Sequence, residues 1–275
     1  MPALPLIVSA LVAAIVAPAL LRALGESRLA LENYRGVTLP FPAGTVIVAA
    51  AALAAGPLAL IQELGIADDV LRPELRTVAI YAFGVAGLGL VDDALGGAPR
   101  GWRGHGKAAL SGSISTGALK AGGALGLALY ALSGLGYSDG EYLLATGVLV
   151  LFTNLFNLLD LRPGRSVKAF ALIGAGLTLG AWDVDPLWAL GLFAGAVLVV
   201  GLYDLRERAM LGDTGSNLIG ALAGLWVVLA LGTTGQAIAL AVALAITIYG
   251  EFRSISAFVE RAPLLRQLDS FGRPA

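Results

Sequence analysis

The 275-residue sequence contains no cysteine and a single histidine, His105. Disulfides, thiolate metal sites and cysteine nucleophiles are therefore excluded, and so is a histidine-cluster metal centre. Charge is also scarce. Asp, Glu, Lys and Arg make up 13% of the residues, against about 25% in an ordinary soluble domain. The first seven residues carry no Lys or Arg, whereas a secretory signal peptide wants a positive start and a cleavage site. The first apolar stretch is therefore expected to stay in place as a transmembrane helix. No soluble linker, low-complexity tract or second domain interrupts the chain, which reads as one membrane domain over 1–275.

What is present is apolar: 57% of the residues, in long blocks rather than in alternation or narrow stripes. A block of about 20 apolar residues crosses a bilayer core as a helix. The expected fold class is all-α, a polytopic transmembrane bundle of about nine spans. They are expected at 3–22, 43–62, 76–95, 108–132, 141–160, 166–183, 186–203, 214–232 and 234–250. The abundant glycines, 37 in all, suit close helix packing in lipid. After Glu251 the apolar residues Ile255, Phe258, Val259, Leu264, Leu265 and Leu268 recur at helical spacing, broken at Pro263. That pattern predicts an amphipathic segment on the membrane face.

Orientation follows from the basic residues. With the N-terminus outside, fifteen of the eighteen Lys and Arg fall in inner segments, Arg72 and Arg76 fall outside, and Lys120 lies within a span. The expected topology is N-out and C-in, in a multi-pass cell (inner) membrane protein. The unusual polar sequences then gather on the cytoplasmic side: Asn33-Tyr-Arg-Gly, Asp92-Asp93, Arg100 to Lys107, Asn154 to Arg165 and Gly212-Asp-Thr-Gly-Ser216. A transporter would instead put its polar groups near the bilayer midplane.

Each cluster has chemical content and a plainer alternative. Asp92 and Asp93 point about 100° apart on a helix, so one can face a metal and the other substrate. Magnesium takes oxygen ligands, commonly one or two carboxylates plus phosphate oxygens. A solvated acidic pair is the plain alternative, although two acids at a helix C-terminus oppose its dipole and call for a cation. Asn154, Asn157 and Asp160 recur every third residue, which predicts one polar helix face. Such a face needs polar partners in a bilayer, and helix–helix hydrogen bonding would also supply them. Arg162 and Arg165 flank a Pro-Gly turn, and with Lys168 they suit phosphate. Asp213 opens a helix, where it either caps the N-terminus or completes a magnesium site beside a phosphate. Arg100 to Lys107 is a basic, glycine-rich loop of the kind that clamps phosphate, though inner loops are basic in any case. His105 reads as a loop or interfacial residue.

These motifs, in this order, resemble the polyprenyl-phosphate N-acetylhexosamine-1-phosphate transferases, which include phospho-N-acetylmuramoyl-pentapeptide transferase and the GlcNAc-1-phosphate transferases. The resemblance runs from about Asn33 to Gly220. It implies a magnesium-dependent enzyme in which a lipid phosphate oxygen attacks the sugar-bearing phosphorus of a UDP-sugar and releases UMP, in cell wall or surface polysaccharide biosynthesis. It implies Asp92, Asp93, Lys107 and Asp213 as catalytic residues, with Mg2+ on Asp92, Asp93 and Asp213. Asn154, Asn157, Asp160, Arg162 and Arg165 would bind substrate. The stretch from Asn33 to Gly44, with Pro40 and Pro42, is similar to the family's first inner loop. The partners so implied are polyprenyl phosphate, a UDP-sugar, the bilayer and, from the family, a second copy in a homodimer; no nucleic acid is expected.

The sequence also departs from the family pattern. Pro163 stands where the nucleotide motif has its second Asp, and Leu161 where it has a Gly. The histidine-rich motif of the last inner loop is absent, with Glu260 to Arg266 in its place, and the family's final span has no counterpart. Arg261 or Arg266 is expected to take over a phosphate contact. A catalytically degenerate relative that binds lipid carrier or a partner is one alternative; a transporter or flippase centred on Lys120 is another. A CDP-alcohol phosphotransferase would show a longer Asp signature than this chain has.

Overall fold

The computed structural model describes residues 1–95 and 116–274. Among them are eleven α-helices and one small ribbon. The long helices are α1 Leu4–Gly25, α2 Gly44–Glu63, α3 Leu75–Leu95, α4 Thr116–Leu132, α5 Asp139–Leu159, α6 Arg165–Ala181, α7 Asp185–Leu205, α8 Gly212–Ala230 and α9 Thr233–Phe252. Two short helices end the chain, α10 Ile255–Arg261 and α11 Pro263–Ser270. Between α1 and α2, strands β1 Leu31–Glu32 and β2 Thr38–Leu39 pair antiparallel, Leu31 opposite Leu39. The Asn33 side chain closes this turn by accepting from the Arg35 and Val37 amides (2.9 and 3.0 Å). This ribbon is the one departure from an all-helical chain among the described residues.

Seven helices, α1, α2, α3, α5, α7, α8 and α9, are long and apolar enough to cross a membrane. This is a multi-pass helical architecture, and helices suit it because their backbone groups bond one another where lipid offers no partners. The other two expected spans are shorter. α6 has 17 residues and carries Arg165, Ser166 and Lys168 in its first turn. α4 also has 17 described residues, and its expected beginning near 108 lies outside the described residues. Both nonetheless run from one end of the bundle to the other. Lys120, near the start of α4, meets Asp92 at the end of α3. Beyond the other end of α4, Leu135 lines an apolar cavity of about 200 Å3 with Pro73 and Val228.

The core is built around α8. From Gly212 to Val228 every residue is buried except Asp213. α3, α5 and α6 pack directly on it, while α9 lies outside with only Gln236 and Ala243 buried. A helix enclosed this completely can carry a carboxylate only where its end opens, and Asp213 sits in its first turn.

Candidate functional site

The head of α8 is positioned by its neighbours' backbone. Met210 N–H donates to the Pro40 carbonyl (3.0 Å), and the Ala43 and Gly44 amides donate to Met210 and Leu211 (2.7 and 3.0 Å). The loop before α2 is thereby stitched to the segment before α8. Gly212 then turns the chain at φ 71°, a conformation costly for residues with a Cβ. Across the bundle, α3 approaches so closely that a Cβ on Gly89 would lie 2.5 Å from the Asp213 carbonyl oxygen. Glycine is required there for the two helices to touch.

At that contact the two adjacent acids separate, as a 100° helical offset demands. Asp93 turns to the head of α8: its carboxylate accepts from Asp213 N (2.9 Å), Thr214 N (2.8 Å) and Thr214 Oγ1 (2.6 Å). It thus satisfies donors that a helix start leaves unpaired, at the end where the dipole favours negative charge. The cap of α8 is therefore supplied by Asp93 from another helix. Asp92 turns to the open side and meets Asp213, the two carboxylates lying within hydrogen-bonding reach of each other.

Lys120 reaches this pair from α4. Its ammonium donates to Asp92 Oδ2 at 3.2 Å and also to Asp213 Oδ2. Asn157 of α5 completes the ring. Its amide satisfies both neighbours with nitrogen toward Asp213 Oδ1 (3.0 Å) and oxygen toward Lys120 Nζ (2.8 Å). Three side-chain oxygens, from Asp92, Asp213 and Asn157, thus surround one positive charge. All three carboxyl and amide groups are partly open to solvent, consistent with a site at a bundle end.

The sequence was expected to place Lys120 within a span. It lies instead near a bundle end and has two acidic partners there, Asp92 at the end of α3 and Asp213 at the start of α8. The signal was present: an ionisable residue in an apolar segment is a functional candidate by default. Asp204 was missed altogether. It is buried at the end of α7 and accepts from Gly164 N at 2.6 Å, holding the turn before α6.

The remaining expected residues divide. Asp160 ends α5 beside Ser166, whose hydroxyl donates to it at 3.5 Å. Asn154 is exposed, whereas Asn157 and Asp160 are half-buried. A three-residue step falls about 60° short of each full turn, so over six residues Asn154 drifts about 120° from Asp160. Arg162 lies over the Tyr34 ring (4.5 Å) and 3.6 Å from Glu260. Arg165 is buried and bound to Asp269. Arg261 and Arg266 are exposed on the terminal helices, and their side chains make no hydrogen bond or ion pair among the described residues. Lys107, with the rest of the Arg100 to Lys107 loop, lies outside the described residues.

Among the described residues no group of three or more Asp, Glu, His or Cys side chains gathers as a metal cage. Asp93 is spent on α8, which leaves Asp92 and Asp213. Two carboxylates and an amide oxygen closed around a cationic charge still fit a magnesium ion that takes its other ligands from phosphate and water. The chain matches no protein-family model and no curated protein.

Proposed function

We propose that this protein transfers a sugar-1-phosphate, most simply N-acetylhexosamine-1-phosphate, from a UDP-sugar to polyprenyl phosphate at the cytoplasmic membrane face. The observation that carries this reading is the meeting of Asp92, Lys120, Asn157 and Asp213 at one end of a bundle of membrane-length helices. Read with the N-out, C-in orientation that the basic residues suggest, that end would face the cytoplasm, where the nucleotide sugar is. The cluster sits at helix ends and not at mid-bundle, which disfavours a transporter.

The physical problem is to bring two anionic phosphates together. A lipid phosphate is already largely ionised near neutral pH, so no base is needed to activate it. Its oxygen forms the new bond to the sugar-bearing phosphorus; the bond from that phosphorus to the bridging oxygen breaks, and UMP leaves with the electron pair. The Lys120 ammonium lies where it can screen the incoming phosphate, and preorganised charge of this kind stabilises the transferring group. Asp92 and Asp213 would hold Mg2+, which when bound supplies Lewis-acid stabilisation of the phosphoryl oxygens. Asp93 has a positioning role, fixing the head of α8 and with it Asp213. The Asn157 amide keeps the Asp213 carboxylate turned toward Lys120.

The test is product formation by purified protein given polyprenyl phosphate, magnesium and a panel of UDP-sugars. Magnesium-dependent UMP release with a sugar-pyrophospholipid product, lost in Asp213→Asn, supports the transferase. No turnover with any donor, in folded protein, favours a degenerate relative that binds the lipid carrier.

A further inference from the structure

The cationic turn that follows the site is already occupied by an anion from the protein itself. Arg165 grips Asp269 of α11 with two hydrogen bonds, Nε to Oδ1 at 2.8 Å and Nη2 to Oδ2 at 3.0 Å. Its third nitrogen, Nη1, donates to Ser256 Oγ of α10 at 3.1 Å. Lys168 donates to the carbonyls of Asp269 and Phe271. Beyond α11 the strap is tied at two more points: Arg273 Nε donates to the Pro163 carbonyl (2.8 Å), and Arg35 Nη2 donates to the Pro274 carbonyl (3.2 Å). The terminal segment thus crosses from the turn before α6 to the ribbon after α1.

A paired guanidinium with an ammonium beside it is the arrangement that also grips phosphate, fork to fork. Asp269 fills this seat with one negative charge against the two cations of the body, Arg165 and Lys168. The seat is joined to the reaction site. Ser166, next to Arg165, donates to Asp160 Oδ1 (3.5 Å) and to the Phe156 carbonyl (3.1 Å) on α5, one turn from Asn157. Apart from these polar ties α11 is not packed into the protein: Leu264, Leu268 and Phe271 are exposed, and none of its residues is buried.

We propose that residues 263–274 form an intramolecular latch, in which Asp269 occupies a diphosphate seat on Arg165 and Lys168 and must leave before a diphosphate can bind there. The class of ligand is a diphosphate, and its assignment to the nucleotide-sugar donor rests on the transferase reading above. Tail release and diphosphate binding are then coupled, since a ligand that takes the seat only in the open state shifts the chain toward that state.

The experiment uses the full chain in detergent, with inorganic pyrophosphate as probe and chelator present to silence any metal site. Spin labels at Gln267 and Arg208 report the tail's distance from the body, and calorimetry reports affinity. Pyrophosphate is expected to lengthen that distance in the wild type. Asp269→Asn is expected to tighten pyrophosphate binding about tenfold, because removing the occupant raises the competent fraction. Asp269→Glu is expected to keep wild-type affinity. Unchanged or weaker binding in Asp269→Asn, or a tail that pyrophosphate does not move, overturns the latch. These readouts need no turnover. Pyrophosphate-driven release without activity on any UDP-sugar sinks the transferase reading alone; activity without release sinks the latch alone.

Discussion

The Lys120 ammonium on α4 bonds the Asp213 carboxylate at the head of α8, 93 residues away. Asp92 accepts from the same nitrogen at 3.2 Å. Without Lys120 the two carboxylates lose the side-chain cation they share. Lys120→Met is expected to lower turnover about 100- to 1,000-fold, the range seen when one preorganised donor to a reacting oxyanion is lost. UMP release under saturating donor measures it. Activity within a few-fold of wild type would remove Lys120 from the site.

Asp93 and Asp213 are expected to fail in different ways. Asp93→Ala leaves the Asp213 and Thr214 amides at the α8 start without an acceptor, at a cost of about 1–3 kcal/mol. Its melting midpoint in detergent should drop along with activity. Asp213→Asn should abolish turnover while leaving the midpoint near that of wild type. The opposite pattern would exchange their roles.

Gly89 and Gly87 make a matched pair on α3. A Cβ at Gly89 would meet the Asp213 carbonyl oxygen at 2.5 Å, whereas one at Gly87 meets nothing within 4 Å. Gly89→Ala should destabilise the protein by about 1–3 kcal/mol through overpacking and disturb the site. Gly87→Ala should be neutral. Thermal melts and UMP release of the two variants compare them directly, and equal effects would contradict the close α3–α8 contact.

The tail should respond to acid late. Burial pushes the Asp269 carboxyl up, but the Arg165 and Arg273 guanidiniums outweigh it and hold the group below the ordinary aspartate range. Lys168 also faces it, and Asp204 stands beside Arg273 and Lys168. A carboxyl depressed in the folded state contributes stability above its unfolded pKa and loses it as pH falls through the folded value. Protease cleavage within 263–274 should therefore stay slow through the ordinary carboxylate range and quicken only below it. In Asp269→Asn cleavage should be fast already at neutral pH. Quickening of the wild type in mildly acidic solution would contradict the Arg165 pairing.

The helical membrane architecture was legible because apolar blocks leave lipid-spanning helices few alternatives. The gathering of Asp92, Asn157 and Asp213 at one bundle end followed from helix alternation and the bias of basic residues. Other features were not legible. Asp92 and Asp93 are indistinguishable by type, and only the approach of α8 decides which one caps it. Lys120 read as a mid-span charge because the start of α4 carries no sharp boundary in sequence. Arg165 read as a free phosphate ligand because its partner, Asp269, is 104 residues away in a segment whose apolar spacing spoke only of a membrane surface. Asn154 was placed on one face with Asp160 by a spacing of three, whose shortfall from the helical turn accumulates to about 120° over six residues.

The most direct test follows the phosphorus. Purified protein would be given polyprenyl phosphate, magnesium and a UDP-sugar labelled separately in its α- and β-phosphates. The expected result is β-label in the lipid fraction and α-label in UMP, with both transfers lost in Asp213→Asn. Label that stays wholly soluble, or a lipid product that carries the α-phosphate, would contradict sugar-1-phosphate transfer at this site.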